Sequence, residues 1–330
     1  MVFLDTGTHV VMGIGLAGLS TLDPAIGQNP SLFSAVAIGV IVGSQAPDID
    51  TVLKLKNNAV YLKNHRGVTH SIPAQLLWPT LITLVLLLFF PNTSVPHLWG
   101  WTMLAVFLHV FVDIFNAYGT QALRPFSEKW VALGWINTFD AFIFGAHIVG
   151  ILLWLFNLAD PGPTFVTIYA GLILYYIVRG LQHRQIVRAI HRTYPHATKW
   201  FISPRMSLGK FRVAVSSDDH FYVGTYENGK LHMVDQFNRL PFPDKEWLHA
   251  AKEDENVSAF LSFSPSYRWE IDKNEQFVEI RFIDNRYRSK GHYPFVAVVQ
   301  LDWDLDVLCS YTGWVFREET LQKKLSERKD

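Results

Sequence analysis

Four stretches in the first half of the chain, Ala74 to Phe90, Leu98 to Phe115, Phe139 to Leu158 and Phe165 to Val178, are almost free of charge. Each approaches the roughly 20 residues a helix needs to cross about 30 Å of hydrocarbon. Such runs must be buried in lipid or in a large core, and this excludes a small, ordinary soluble fold for residues 1–180. Two shorter runs, Val10 to Leu22 and Leu32 to Ala46, flank a turn-rich link from Asp23-Pro24 to Asn29-Pro30. Pairing them as a tilted hairpin brings the expected count to about six apolar helices. The competing reading is that some of these are buried helices of a large soluble protein. Acidic Asp5 and the lack of Lys or Arg before Val10 argue against a cleaved signal peptide.

The basic residues give the threading a direction. Lys54, Lys56, Lys63 and Arg66 follow the second apolar run, Arg124 and Lys129 the fourth, and Arg179, Arg184, Arg188 and Arg192 the sixth. The alternate connections, around Asp23 to Pro30, Pro91 to His97 and Asp160 to Pro163, carry none. The positive-inside bias then places both termini and every basic loop in the cytoplasm of an integral membrane protein. Over the whole chain 29 Lys and Arg balance 29 Asp and Glu, and no long basic run occurs, so no nucleic-acid partner is expected. The single cysteine, Cys309, supplies neither an internal disulfide nor a thiolate cluster, and any metal must rely on nitrogen and oxygen.

Against this apolar background stand short polar segments: Thr8-His9, Pro47-Asp48-Ile49-Asp50, His65-Arg66-Gly67-Val68-Thr69-His70-Ser71, and His109 with Asp113. Unpaired charges near hydrocarbon cost several kcal/mol, so these groups are expected to pair, to line a wet cavity or to bind a cation. In the threading above all of them arrive at the cytoplasmic membrane surface. His109 and Asp113, four apart on a helix, project from one face. Pro47 ends the preceding helix and leaves Asp48 and Asp50 on irregular backbone, and Gly67 permits a tight loop that turns His65, Arg66 and His70 toward one cavity.

The expected metal ligands are therefore His9, Asp48, Asp50, His65, His70, His109 and Asp113. Several imidazoles favour zinc and carboxylates admit manganese or magnesium; seven candidates suit two ions, or one ion with outer partners. A paired site would activate water for a displacement. Arg66 is a poor ligand, but its planar fork suits a phosphate oxygen, which suggests an anionic phosphoester substrate.

These residues, with Tyr118-Gly119-Thr120, resemble the YfhP and YdjM type of membrane-bound, metal-dependent hydrolases, and their order is similar to the zinc-dependent phospholipase C and single-strand nuclease superfamily. The resemblance implies a hydrolase acting on a phosphoester such as a phospholipid head group, with activated water rather than Ser71 as nucleophile. Asp50, Arg66 and Asp113 are the expected catalytic residues, and Arg66, Asn116, Tyr118 and Asp140 the expected substrate-binding set. The rival function is a membrane transporter or a metal-binding regulator without turnover. A third makes the centre purely structural. His147, His183, His191 and His196 are left out of the metal set.

The fold class expected is α+β: a helical transmembrane domain over 1–180, a basic linker helix over 181–200 lying along the anionic membrane surface, and a cytoplasmic, mainly antiparallel β domain over 201–330. Strands are predicted at Phe211 to Val215, Phe221 to Tyr226, Lys230 to Val234, Val257 to Ser262, Tyr267 to Ile271, Phe277 to Ile283 and Phe295 to Leu301. Asp302, Asp304 and Asp306 read as an exposed strand face. Membrane lipid is the expected partner of the first domain; the sequence names no protein partner for the last.

Overall fold

The computed structural model describes residues 2–207, 209–242 and 245–326. The chain divides into two compact units, one of Met1–Asp50 and His65–Gln185 with a short piece at Ser203–Leu208, the other of Thr51–Asn64, Ile186–Ile202 and Gly209–Asp330. The mixture of apolar helices and antiparallel sheets is the α+β arrangement expected.

The helices in chain order are α1 (Val2–Ser20), α2 (Pro24–Gly27), α3 (Pro30–Gly43), α4 (Asn58–Asn64), α5 (Ile72–Phe89), α6 (Val95–Asp113), α7 (Ala141–Leu155) and α8 (Pro161–Thr193). Short 3-10 segments at Ala46–Leu55 and Val68–His70 lie on either side of α4. Local sequence sets the starts. Asn29 accepts from the Leu32 amide at 3.1 Å with Pro30 behind it, and Ser71 and Ser94 precede α5 and α6 with prolines in the first turn. The core of this unit joins Leu16, Val36, Val40, Leu98 and Ala105. Gly39 makes the closeness of α3 and α6 possible, since a Cβ there would stand 2.6 Å from the Thr102 hydroxyl.

Three helices, α5, α6 and α8, are long and apolar enough to cross a membrane. A fourth span arises if α3 and the segment Ala46–Leu55, bent by 46° at their break, count as one; α7 is a shorter apolar helix. Among the described residues, length and composition thus support three or four spans where six were expected. Leu84, Val85 and Leu88 of α5 remain more than half exposed, the surface a lipid-facing helix offers.

The basic stretch after Arg179 is not a separate linker helix. It continues α8 without a break to Thr193, because no proline or glycine pair interrupts the 33-residue run. Asp48 and Asp50 likewise lie on a 3-10 segment rather than in an irregular turn.

In the second unit, strands β1 (Lys199–Pro204), β2 (Phe211–Ser216), β3 (His220–Glu227) and β4 (Lys230–Asn238) form one sheet in that order. A second sheet holds β5 (Tyr267–Lys273), β6 (Val278–Asp284), β7 (Phe295–Leu301) and β8 (Val307–Trp314), paired antiparallel throughout. Asn228 and Gly229 turn β3 into β4 with φ of 51° and 79°, the double left-handed conformation of a tight hairpin. Helices α9 (Lys245–Glu253), α10 (Glu255–Phe263) and α11 (Glu318–Ser326) complete the unit. Here α4 packs on α10 and β8, with Asn58 Nδ2 donating to the Thr312 carbonyl at 3.2 Å. The loop between the two ligand-bearing segments thus belongs to this unit.

Two sequence expectations are corrected. Val257 to Ser262 is helical within α10, where the Asp254 carboxylate accepts from the Val257 amide at 2.9 Å and starts a helix that propensity alone does not announce. Asp302, Asp304 and Asp306 form a turn, not a strand face: Asp302 Oδ1 accepts from the amides of Asp304 and Asp306 at 3.0 and 2.9 Å. The strands β1 and β8 were not anticipated.

Candidate metal centre

His109 and Asp113 occupy the last turn of α6, both nearly inaccessible to solvent. His109 Nδ1 lies 2.7 Å from the Ser44 carbonyl just beyond α3. A carbonyl only accepts, so Nδ1 carries a proton, and Nε2 is the ring nitrogen left for a metal. That nitrogen faces a cluster.

Four donor atoms meet there, from Asp48, His70, His109 and Asp113. His70 Nε2 is 3.3 Å from His109 Nε2, 3.7 Å from Asp48 Oδ1 and 3.4 Å from Asp113 Oδ2. His109 Nε2 is 3.7 Å from each of the same two carboxylate oxygens. Bonds of about 2.0–2.1 Å to a tetrahedral zinc place its donors roughly 3.3–3.4 Å apart, close to these separations. Among the described residues, Asp48 Oδ1 and Asp113 Oδ2 are also buried without a hydrogen-bond partner. A buried carboxylate oxygen left unsatisfied costs several kcal/mol, and a cation would satisfy both. The donor set therefore fits a divalent metal. Burial holds the His70 imidazole below its ordinary pKa despite the hydrogen bond and charge of Asp113, which keeps the ring neutral and able to donate a lone pair.

Asp50 and His65 form the edge of a second possible group with Asp48. Asp50 is engaged on both oxygens: Oδ1 lies 2.8 Å from His65 Nδ1, while Oδ2 accepts from the Arg66 amide at 2.8 Å and the Thr69 hydroxyl at 2.9 Å. Thr69 Oγ1 is in turn 3.1 Å from His70 Nδ1, so Asp50 steadies His70 through Thr69. Sequence reasoning passed over Thr69, whose signal was a hydroxyl between the two histidines, and over Ser44, whose contribution is a backbone carbonyl.

His9, from α1, stacks on His109 with ring centres 3.8 Å apart, and its Nε2 is 3.6 Å from Asp113 Oδ1. Arg66 places Nη2 3.1 Å from the same oxygen and Nη1 3.4 Å from the Gly119 carbonyl. Only 3% of Arg66 is exposed, so the guanidinium is joined to Asp113 inside the protein rather than displayed for a ligand. Its backbone takes the left-handed φ of 57°, which a long side chain rarely adopts. Gly119, at φ 70°, lies so close to Val131 that a Cβ there would stand 2.1 Å from the Val131 carbonyl oxygen.

The expected substrate residues divide. Asn116 Oδ1 accepts from the amides of Tyr118 and Gly119 at 2.9 and 2.7 Å, holding the turn after α6. Tyr118 enters these bonds through its amide and is half-buried. Asp140 caps α7 through Phe142 and Ile143 and accepts from the Tyr175 hydroxyl at 2.8 Å. Asn116 and Asp140 nevertheless line one small cavity with Thr8, His9, Asp113 and Tyr176, about 20 Å³, room for roughly one water molecule.

Comparison with known proteins places these features in a family. Residues 4–186 match the family described as YdjM inner membrane protein, residues 195–237 the YfhP middle domain, and residues 246–325 the YfhP C-terminal alpha/beta plait domain. The chain is 57% identical to the YfhP protein of Bacillus subtilis (strain 168) over 323 residues, 98% of each chain. No solved structure matches it. On these matches, which run the length of both its helical and its β-rich parts, the chain belongs to the YfhP family of membrane proteins and carries a YdjM-type membrane domain.

Proposed function

We propose that the chain is an integral-membrane, metal-dependent hydrolase that cleaves a phosphoester, such as a phospholipid head group. The observation that carries this reading is the set of separations from 3.3 to 3.7 Å among donors of His70, His109, Asp48 and Asp113, two of whose carboxylate oxygens have no hydrogen-bond partner among the described residues. Zinc is the metal best suited to two imidazoles and two carboxylates, with manganese or magnesium as alternatives. Asp48 belongs to both donor groups, so a second ion would be held by Asp48, Asp50 and His65. A divalent ion bound there supplies a more acidic water and polarises a phosphoryl oxygen.

The protein's own groups have distinct parts in this proposal. Arg66 holds Asp113 in place and adds positive charge beside the donors, which attracts an anionic ester. Asp50 orients His65 and, through Thr69, His70. Asn116 and Asp140 line the water-sized cavity next to Asp113, the place where a substrate oxygen or the attacking water is received. A threading of six apolar helices with both termini and the centre facing the cytoplasm accords with the distribution of Lys and Arg.

A second reading has its own support. Four protein donors around one point fill a tetrahedron, the arrangement of closed structural sites, and this favours a metal-binding regulator without turnover. Metal analysis of detergent-purified protein, combined with phospholipid and phosphoester turnover, separates the two. The hydrolase reading expects bound metal and turnover in the wild type, with turnover lost in His109→Ala and Asp113→Ala. Stoichiometric metal with no turnover on any phosphoester supports the regulator, and full turnover in both variants after stringent chelation rejects the hydrolase mechanism.

A further inference from the structure

Within the β-rich unit lies a cavity of about 560 Å³, remote in sequence from the metal ligands. Its size is that of a small-molecule site. Phe237, Phe242, Tyr267 and Trp269 contribute aromatic surface, and Phe242 packs on Trp269 with ring centres 4.8 Å apart. Six aromatic side chains line it, against Leu240, Leu248 and Pro265 as the other apolar groups. Flat faces suit a flat ligand, which stacks with full contact at little cost in conformational freedom, better than they suit a flexible acyl chain.

The charge on the same lining is one-sided. Lys199, Arg239 and Arg268 are present against one carboxylate, that of Glu270. Arg268 is fixed rather than mobile: its guanidinium lies 4.1 Å from the Phe237 ring centre and 4.4 Å from that of Tyr293, and Nη1 donates to Asn285 Oδ1 at 2.9 Å. Glu270 compensates it loosely, at 3.7 Å from Nε and with 60% of its side chain exposed, and the Asp235 carboxylate outside the lining adds a second negative charge. Arg239 is held by a bond from Nη1 to the Ser217 carbonyl at 3.1 Å. Lys199 stands exposed at the start of β1. A chain with no net charge has here gathered an excess of cations beside aromatic rings.

We infer that this cavity binds a mononucleotide-class ligand, a heteroaromatic ring joined to a phosphate, with the ring among Phe237, Phe242 and Trp269 and the phosphate toward Lys199, Arg239 and Arg268. Guanidinium forks and an ammonium together recognise phosphate oxygens, and ring stacking tolerates any base. The site takes no part in the hydrolysis proposed above and stands without it.

The test is equilibrium dialysis of the full chain in detergent micelles against labelled AMP, with adenosine, inorganic phosphate and palmitate as competitors. Saturable binding is expected, with each competitor weaker than unlabelled AMP by about tenfold or more, because adenosine and inorganic phosphate each offer one of the two recognised parts and palmitate offers neither. Trp269→Ala and Arg268→Gln should each weaken AMP by about tenfold. Lys199→Gln, at an exposed strand end where folding is not at stake, should weaken AMP while leaving adenosine competition unchanged. His109→Ala should bind AMP like the wild type, which separates this site from the metal centre. Absence of saturable binding overturns the inference. So does inorganic phosphate or palmitate competing as well as AMP, or unchanged affinity in both Lys199→Gln and Trp269→Ala.

Discussion

His70 and His109, 39 positions apart, bring their Nε2 atoms to 3.3 Å inside the protein. With Nδ1 of His109 donating to Ser44, its Nε2 is the nitrogen turned to the cluster, and the two imidazoles beside two carboxylate oxygens form a set of metal donors. Removing one donor should therefore remove the ion. In His109→Ala, metal per chain measured by atomic emission falls well below the wild-type value. Metal present at about 100 times its Kd stabilises a folded protein by about 2.7 kcal/mol, so adding zinc should raise the melting temperature of the chelated wild type and leave that of the variant unmoved.

Asp50 tests how the histidines of the four-donor group are oriented. Its two oxygens hold His65, the Arg66 amide and Thr69 at 2.8–2.9 Å, and an amide NH2, a donor, in place of one accepting oxygen breaks that set. Asp50→Asn should weaken metal affinity by about 10- to 100-fold while the protein stays folded, as read by competition with a chelating dye. Unchanged affinity would remove Asp50 from the site.

In the β-rich unit, Asp284 is fully buried and accepts from Arg286 Nε at 3.0 Å, Arg286 Nη2 at 2.6 Å and the Ser264 hydroxyl at 2.6 Å. Asp284→Asn leaves the buried Arg286 without its counter-charge. The expected loss is about 3–5 kcal/mol of stability, measured by urea unfolding followed through fluorescence. A loss below about 1 kcal/mol would mean the pair has little structural weight.

Glu318 and Arg281 give a pH dependence of known sign. Hydrogen bonds from Arg281, at 3.0 and 2.8 Å, hold the Glu318 carboxyl below its ordinary value of 4.5. The folded protein binds this proton less readily than the unfolded chain, so the pair stabilises fully above about pH 4.5 and loses that contribution as pH falls through the lower folded value. With Glu318 largely exposed, the pair is worth at most about 1 kcal/mol. The melting temperature of the wild type should exceed that of Glu318→Gln at neutral pH, and the gap should narrow as pH falls below 4.5 through the lower folded value.

The sequence by itself determined those parts of the protein that depend on local periodicity and composition. Helical geometry places His109 and Asp113 on one face whatever surrounds them, and Asn228-Gly229 specifies a tight hairpin because its conformation demands those residues. The apolar runs foretold helices, and the polar segments within them foretold a common place at the helix ends. Tertiary structure decided the rest, because partner choice among buried polar groups depends on atoms distant in sequence. Arg66 could face a phosphate or a carboxylate, and the fold sets it between Asp113 and the Gly119 carbonyl. Asp140 could line a site or cap a helix, and it does both. Val257 to Ser262 has the composition of a strand, yet the cap at Asp254 and burial of Val257 and Phe260 make it a helix. Most hidden of all is the Ser44 carbonyl that fixes His109, since every residue has a carbonyl and only the fold selects the one that matters.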